Sequence, residues 1–174
     1  GLKMTGWGWG TMDDSTLDAA LFDDLLTCVD TQFDIDNKRV WSMGFSAGAL
    51  WTSWLALHRS TFLASAVIWS GGTGENSNLY KKPKRKIPVL MAWGGKDDQA
   101  GLQFEATTLN MATHLRDDGH FVATCNHGLG HTIPSNGLTW GVDFLKRHTF
   151  GVETSDLATD ATVQKLYPTY CSYK

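Results

Sequence analysis

The sequence contains few of the residues that mark several large classes of protein. Of its 174 residues, 19% are charged, 4 are proline and 3 are cysteine. Together with 42% hydrophobic residues, this composition excludes a disordered or collagen-like chain. No run approaches the ~20 apolar residues that a membrane-spanning helix needs. The absences indicate one soluble globular domain with a hydrophobic core.

Neither sign of charge predominates. The 15 basic and 18 acidic side chains give a net charge of −3. Proteins that bind polyanions usually carry a basic excess, so the composition favours neither a nucleic acid nor a membrane surface as partner. The chain starts at Gly1 with neither an initiator methionine nor a signal segment ahead of it. We therefore expect this start to be processed, cut or engineered.

The three cysteines, Cys28, Cys125 and Cys171, form an odd set. Their spacing suits neither a zinc site nor a redox Cys-x-x-Cys motif. They are interpreted as buried thiols or, alternatively, as including half of a disulfide in an exported protein, with Cys171 the first candidate. The low charge and the 8 tryptophans favour export, which predicts a secreted or periplasmic protein.

The segment from Asp13 to Phe33 has the apolar spacing of an amphipathic helix. Its stripe repeats every four residues and consists of Leu17, Leu21, Leu25 and Val29. Asp13 and Asp14 at its start suit the positive end of a helix dipole. A polar turn follows before the next apolar run.

Four short apolar runs alternate with segments of helical spacing. Because each run is apolar at successive positions, it predicts a strand that is covered on both faces. The predicted strands are 39–45, 64–70, 87–93 and 120–125, and the predicted helices are 47–59, 102–116 and about 136–148. This alternation predicts a three-layer α/β/α fold with a mainly parallel sheet. We expect a catalytic domain over 1–150 and a polar tail without an assigned role over 151–174.

The pentapeptide Gly44-Phe45-Ser46-Ala47-Gly48 lies where a predicted strand ends and a helix begins. In a turn of this kind the serine is held in a strained conformation with its hydroxyl exposed, and the glycines allow close backbone approach. The alternative is an ordinary glycine-rich turn. The strand and helix on either side favour Ser46 as a nucleophile, with the backbone N–H of Ala47 as an oxyanion donor.

Candidate catalytic partners for Ser46 lie in the polar segments that follow the third and fourth predicted strands. Asp97 and Asp98 follow the third predicted strand, and His127 and His131 follow the fourth. Parallel strands place such residues at one edge of the sheet. The chain order Ser, Asp, His is the order expected after a nucleophile of this type.

The tight loop between Gly130 and Pro134 favours His131 over His127 as the general base. Asp97 is preferred as the carboxylate that orients the imidazole, although Asp98 is adjacent and the loop could present either. Trp69 and Trp93 near strand ends, and Ile133 beside the histidine, are candidates to line a substrate pocket. For the tryptophans the alternative is a place in the core.

The residues resemble the α/β-hydrolase superfamily, in particular the esterases that include polyhydroxybutyrate depolymerases, feruloyl esterases and acetylxylan esterases. The resemblance covers residues 13 to about 148 and rests on several linked segments. These are Asp13-Asp14, Phe33-Asp34-Ile35-Asp36 leading into Gly-Phe-Ser-Ala-Gly, Phe62 to Ala66 leading into Ser70-Gly71, Gly94-Gly95-Lys96-Asp97, and Gly130-His131-Thr132-Ile133-Pro134. It implies hydrolysis of short acyl or aryl esters, with polysaccharide-linked esters among the candidates, through an acyl-enzyme without metal or organic cofactor.

The resemblance also implies a truncated or minimal fold, because its members have several strands before the region that matches residue 13. Strand 39–45 would then lie at a sheet edge. We expect that edge to be covered by a missing N-terminal segment, by a second copy of the chain, or by residues 5–10. Alternative functions are a peptidase, a lactone hydrolase, or a catalytically weak remnant that binds or associates.

Overall fold

The computed structural model describes residues 17–74 and 79–174. These residues divide into two compact units between Asn37 and Lys38. The first contains helix α1, Leu17–Gln32, which confirms the predicted helix. Its apolar side chains at positions 21, 25 and 29 are exposed. Asp13, Asp14 and residues 5–10 lie outside the described residues.

The second unit is built on a five-stranded sheet in the order β1-β2-β3-β4-β5. Its elements are β1 Trp41–Phe45, α2 Ala47–His58, β2 Ser65–Trp69, β3 Val89–Trp93, α3 Phe104–Asp117, β4 Val122–Asn126, α4 Gly137–Lys146, α5 Ala161–Gln164 and β5 Cys171–Tyr173. The first four strands are parallel and β5 is antiparallel. The predicted α/β class and mainly parallel sheet are confirmed.

Helices cover both faces of the sheet. Val67, Trp69 and Leu90 pack in one core cluster with Trp140 and Phe144 of α4. Because strand side chains alternate between faces, the intervening residues of β2 and β3 point the other way. Those residues are also fully buried, in keeping with α2 and α3, which pack against the four parallel strands.

Among the described residues, β1 is an edge strand that pairs only with β2. The sequence predicted burial on both faces, whereas β1 is half-buried and Met43 is 38% exposed. In the part of the chain that the structure describes, no helix is long and apolar enough to cross a bilayer.

The predicted polar tail belongs to the fold, so the proposed boundary at residue 150 is wrong. Strand β5 extends the sheet next to β4, and Cys171 forms a disulfide with Cys125, its partner in the register. Leu157 and Tyr167 are buried in the core cluster around α4. These apolar residues are too widely spaced for a periodic pattern to reveal them. The tail therefore completes the core.

We predict that replacing Cys171 by serine destabilises the second unit. The disulfide closes a loop of 46 residues, and restricting a loop of that length in the unfolded chain stabilises the native state by about 4 kcal/mol. Urea titration followed by tryptophan fluorescence should show a loss of about 2–4 kcal/mol. Cys28→Ser, at an exposed free thiol, is the matched control. Equal stability of both variants would contradict the prediction.

His148 and His120 are buried in the second unit. The Nδ1 of His148 lies 2.7 Å from the carbonyl oxygen of Phe144, and its Nε2 is buried with no hydrogen-bond partner among the described residues. The Nδ1 of His120 lies 3.1 Å from the carbonyl oxygen of Ile87. Burial lowers the pKa of both imidazoles below the ordinary value of 6.5. The folded state therefore favours the neutral form of both histidines.

We predict that the free energy of unfolding falls as the pH drops below about 6.5. The folded state has the lower pKa at these histidines, so in this range the unfolded chain binds more protons. The stabilisation is complete above the unfolded pKa and is lost on acidification. Urea titrations between pH 8 and pH 5 measure the slope, and His148→Gln should make it shallower. An unchanged slope in that variant would contradict the role of His148.

Candidate active site

The carboxyl ends of the four parallel strands bring four polar side chains together. Ser46 follows β1, Ser70 follows β2, Asp98 lies in the loop after β3, and His131 lies in the loop after β4. The carboxyl ends of parallel strands meet at one edge of the sheet, which is where open α/β sheets place their ligand sites. A continuous set of hydrogen bonds joins the four residues.

Ser46 occupies a strained turn between β1 and α2. Its φ of 55° lies in the left-handed region that residues other than glycine seldom adopt. Its N–H donates to the carbonyl oxygen of Trp69 at 3.0 Å. A Cβ at Gly44 would lie 2.1 Å from the carbonyl oxygen of Gly48, so the turn requires glycine at position 44. The backbone thus fixes the direction of the Ser46 hydroxyl.

His131 is held next to Ser46 by the loop that follows β4. The Nε2 of His131 lies 3.0 Å from Oγ of Ser46. Two backbone bonds of 2.9 Å anchor the loop on the end of β3, from His127 N–H to the carbonyl of Trp93 and from Gly130 N–H to that of Gly94. A Cβ at Gly94 would lie 1.8 Å from the carbonyl oxygen of Gly130. The close approach of these two loops therefore depends on glycine.

His127 has a different place from His131 in the same loop. Its Nδ1 accepts a 3.3 Å hydrogen bond from the N–H of Leu129. Burial lowers the pKa of His127, and the charge of Asp98 opposes that shift. The ring contacts that loop backbone, whereas His131 is the histidine bonded to Ser46. The structure thus brings together the serine and the histidine that the sequence predicted.

The carboxylate bonded to His131 belongs to Asp98, and the preference for Asp97 is corrected. Oδ1 of Asp98 lies 2.7 Å from Nδ1 of His131. Asp98 is fully buried, whereas Asp97 is exposed. A single 3₁₀ turn over Gly95–Asp97 separates β3 from Asp98. Adjacent residues at the end of that turn point in different directions, and the sequence left both open because it does not fix the turn.

Two aromatic rings pack against the imidazole of His131. The ring centroid of Phe45 lies 4.8 Å away and that of Phe104 lies 4.9 Å away. The Phe104 ring is nearly parallel to the imidazole, at 14°. Such contacts limit rotation of the imidazole ring. Neither phenylalanine was among the residues predicted for the site, because contacts across elements leave no local pattern.

The residues predicted to line a substrate pocket have different environments. Trp69 is 1% exposed and packs on Trp140 at 4.3 Å between ring centroids. Trp93 is 6% exposed, and its indole N–H donates to Oε1 of Glu105. Both tryptophans belong to the core, so the prediction that they line a pocket is corrected. Ile133 is half-buried and stays a candidate.

The arrangement can move a proton away from Ser46. With the Nδ1–H of His131 donated to Asp98, Nε2 can accept the Ser46 proton. As the first residue of α2, Ala47 has a backbone N–H without an intrahelical acceptor, so it stays the candidate oxyanion donor. Among residues 17–74 and 79–174, no cluster of three or more His, Cys, Asp or Glu side chains could hold a metal ion.

Comparison with known protein families finds one family that matches most of the chain. Residues 13–149 match the phospholipase/carboxylesterase family within the α/β-hydrolases. This range covers most of the chain and includes Ser46, Asp98 and His131. A sequence comparison with curated proteins finds no match.

Solved structures share the fold at low sequence identity. The crystal structure of native sOPH matches with a TM-score of 0.71 and 20% identity, over 95% of this chain and 61% of that one. Arabidopsis thaliana SOBER1 matches with a TM-score of 0.59 and 21% identity, over 78% of this chain and 65% of that one. A thermostable esterase matches with a TM-score of 0.61 and 17% identity, over 83% of this chain and 41% of that one. The chain spans less than two thirds of the length of these proteins.

We predict that Asp98→Asn slows labelling of Ser46 by a serine-directed phosphonate, while Asp97→Asn does not. An asparagine at position 98 cannot stabilise the charged imidazole and can hold the wrong tautomer, a change that costs about 10⁴-fold in a comparable triad. Asp97→Asn removes the same charge one residue away. Intact-mass spectra over time give both rates. Slow labelling of Asp97→Asn with normal labelling of Asp98→Asn would contradict the assignment.

Proposed function

Because the chain belongs to the phospholipase/carboxylesterase family of the α/β-hydrolases, we propose that it is a serine carboxylesterase acting on short acyl or aryl esters. The observation that carries the proposal is the unbroken hydrogen-bond chain from Ser46 through His131 to Asp98, with distances of 3.0 and 2.7 Å. A nucleophile, a base and an orienting acid in this relation are the requirements of acyl transfer.

In the acylation step, Oγ of Ser46 attacks the ester carbonyl carbon while Nε2 of His131 takes the hydroxyl proton. The Asp98 carboxylate stabilises the imidazolium that forms. The N–H of Ala47, at the positive end of α2, donates to the oxyanion of the tetrahedral intermediate. Collapse of that intermediate breaks the bond to the leaving alcohol, which receives the proton from His131. Ser46 is left as an acyl ester.

In the deacylation step, water takes the place of the alcohol. His131 removes a proton from the water, and the resulting hydroxide adds to the acyl carbon. The second tetrahedral intermediate collapses with return of the proton to Oγ of Ser46. The products are a carboxylic acid and free enzyme. No step requires an oxidant, a reductant or an organic cofactor.

The proposed substrate class has a small acyl or aryl group. The core positions of Trp69 and Trp93 leave Ile133 as the predicted pocket residue with accessible surface. The resemblance to feruloyl and acetylxylan esterases supports polysaccharide-linked esters as a subset to test. The disulfide between Cys125 and Cys171 supports an oxidising location, secreted or periplasmic.

A substrate panel separates this proposal from its alternatives. Hydrolysis of esters, amides and lactones uses the same acyl chemistry, so the triad alone does not distinguish them. Amide substrates test the hypothesis of a peptidase, and lactone substrates test the hypothesis of a lactone hydrolase. A chain that binds an ester without turning it over would be the weak remnant. Association through the outer edge of β1, by a second copy or a further segment, is measured separately by light scattering.

We predict that Ser46→Ala lowers ester hydrolysis to background, a loss of about 10⁶-fold in kcat for a nucleophile of this kind. In a second assay, incubation with a serine-directed phosphonate should add one phosphonyl group to the wild-type chain. Peptide mapping should locate this group on the peptide that contains Ser46. Ser135→Ala, at an exposed serine in the loop before α4, should behave as wild type in both assays. Hydrolysis of p-nitrophenyl acetate by Ser46→Ala at the wild-type rate would disprove the proposed nucleophile.

A further inference from the structure

We propose that Ser70 is a positioning residue that fixes the Asp98 carboxylate, a role that rests on the proposed function. The hydroxyl of Ser70 donates to Oδ2 of Asp98 at 2.8 Å. Ser70 immediately follows β2, as Ser46 immediately follows β1. Each of the four parallel strands thereby supplies one member of a single hydrogen-bonded row.

The backbone of Ser70 is strained at the point where its side chain meets Asp98. Its φ is 52°, and apart from Ser46 it has the only positive φ of a non-glycine residue in the described chain. A glycine would adopt that conformation at lower cost. The hydrogen bond of the serine hydroxyl therefore offsets the strain of a backbone conformation that favours glycine. Since Ser70 is fully buried, no solvent competes for its hydroxyl proton.

The hydrogen bonds at Asp98 divide between its two oxygens. Oδ2 accepts from the Ser70 hydroxyl and from the N–H of Gly94, both at 2.8 Å. Oδ1 faces Nδ1 of His131 at 2.7 Å. Two donors on one oxygen oppose rotation of the carboxylate and hold the other oxygen in line with the imidazole. Without the Ser70 hydroxyl, Gly94 alone would hold Oδ2.

The main chain fixes the position of Ser70. Its N–H donates to the carbonyl oxygen of Ala92 at 2.8 Å. The N–H of Ser46 makes the equivalent bond to Trp69. Parallel pairing therefore places one serine hydroxyl at the histidine end of the row and the other at the carboxylate end. Ser70 acts through Asp98 and does not itself touch the reacting atoms.

The experiment compares Ser70→Ala with Ser70→Gly. Both variants lack the hydroxyl, and glycine also relieves the strain at φ 52°. We expect both to lower kcat for p-nitrophenyl acetate about 10- to 100-fold, the effect of losing one hydrogen bond to a buried charge, with KM unchanged. In ¹⁵N-histidine NMR spectra, the Nδ1 proton of His131 should shift or broaden by exchange in both variants.

Ser53→Ala is the matched control. Ser53 is a buried serine whose hydroxyl donates to the carbonyl of Ala49 and accepts from the N–H of Gly72. Its loss should lower stability in urea without changing kcat or the His131 signal. The same fall in kcat from Ser53→Ala as from Ser70→Gly would overturn the proposal, because it would show that any buried serine has this effect.

The outcomes separate this proposal from the proposed function. A wild-type chain that turns over no ester contradicts the esterase function, and the NMR comparison then decides the Ser70 proposal by itself. Wild-type hydrolysis with kcat and the His131 signal unchanged in Ser70→Gly overturns the Ser70 proposal and leaves the esterase function standing. A lower kcat with a shifted His131 signal in both Ser70 variants supports both.

Discussion

The register of the parallel strands sets the distances on which the site depends. Phe45 pairs with Trp69, Trp69 with Ala92, and Ala92 with Cys125. Strands β1 and β2 end at this level, and β3 and β4 end one residue later at the paired Trp93 and Asn126. All four chains therefore leave the sheet within one register step of each other, where they turn into α2 or into a loop. A slip of one register step would move a side chain by about 3.3 Å and to the opposite face. Backbone hydrogen bonding is thus the first determinant of the contact between Ser46 and His131.

Close backbone contacts then bring the loops to that level. Gly44 lets the turn at Ser46 fold against α2, and Gly94 lets the His131 loop lie on the end of β3. At both positions a methyl group would overlap a carbonyl oxygen, so the chain would have to move. The disulfide between Cys125 and Cys171 adds a covalent link on β4, the strand that leads into the His131 loop.

The buried charge of Asp98 explains the polar groups around it. A carboxylate removed from water is costly unless donors replace the lost hydration. Asp98 has three, from Ser70, Gly94 and His131, which both satisfy the charge and define its orientation. The strained backbone at Ser70 is a local cost that this network offsets. Stability and the geometry of the candidate site therefore depend on the same set of hydrogen bonds.

The sequence by itself determined the four parallel strands, helices α1 to α4 and the turn at Ser46, because apolar periodicity and glycine spacing are local properties. The sequence also predicted that the serine, the histidines and a pair of aspartates lie at one edge of the sheet. Only the tertiary structure decided between Asp97 and Asp98, placed Trp69 in the core and added β5. These outcomes depend on the direction of one short turn and on contacts between distant segments. Such contacts arise from packing in three dimensions, which no local pattern records.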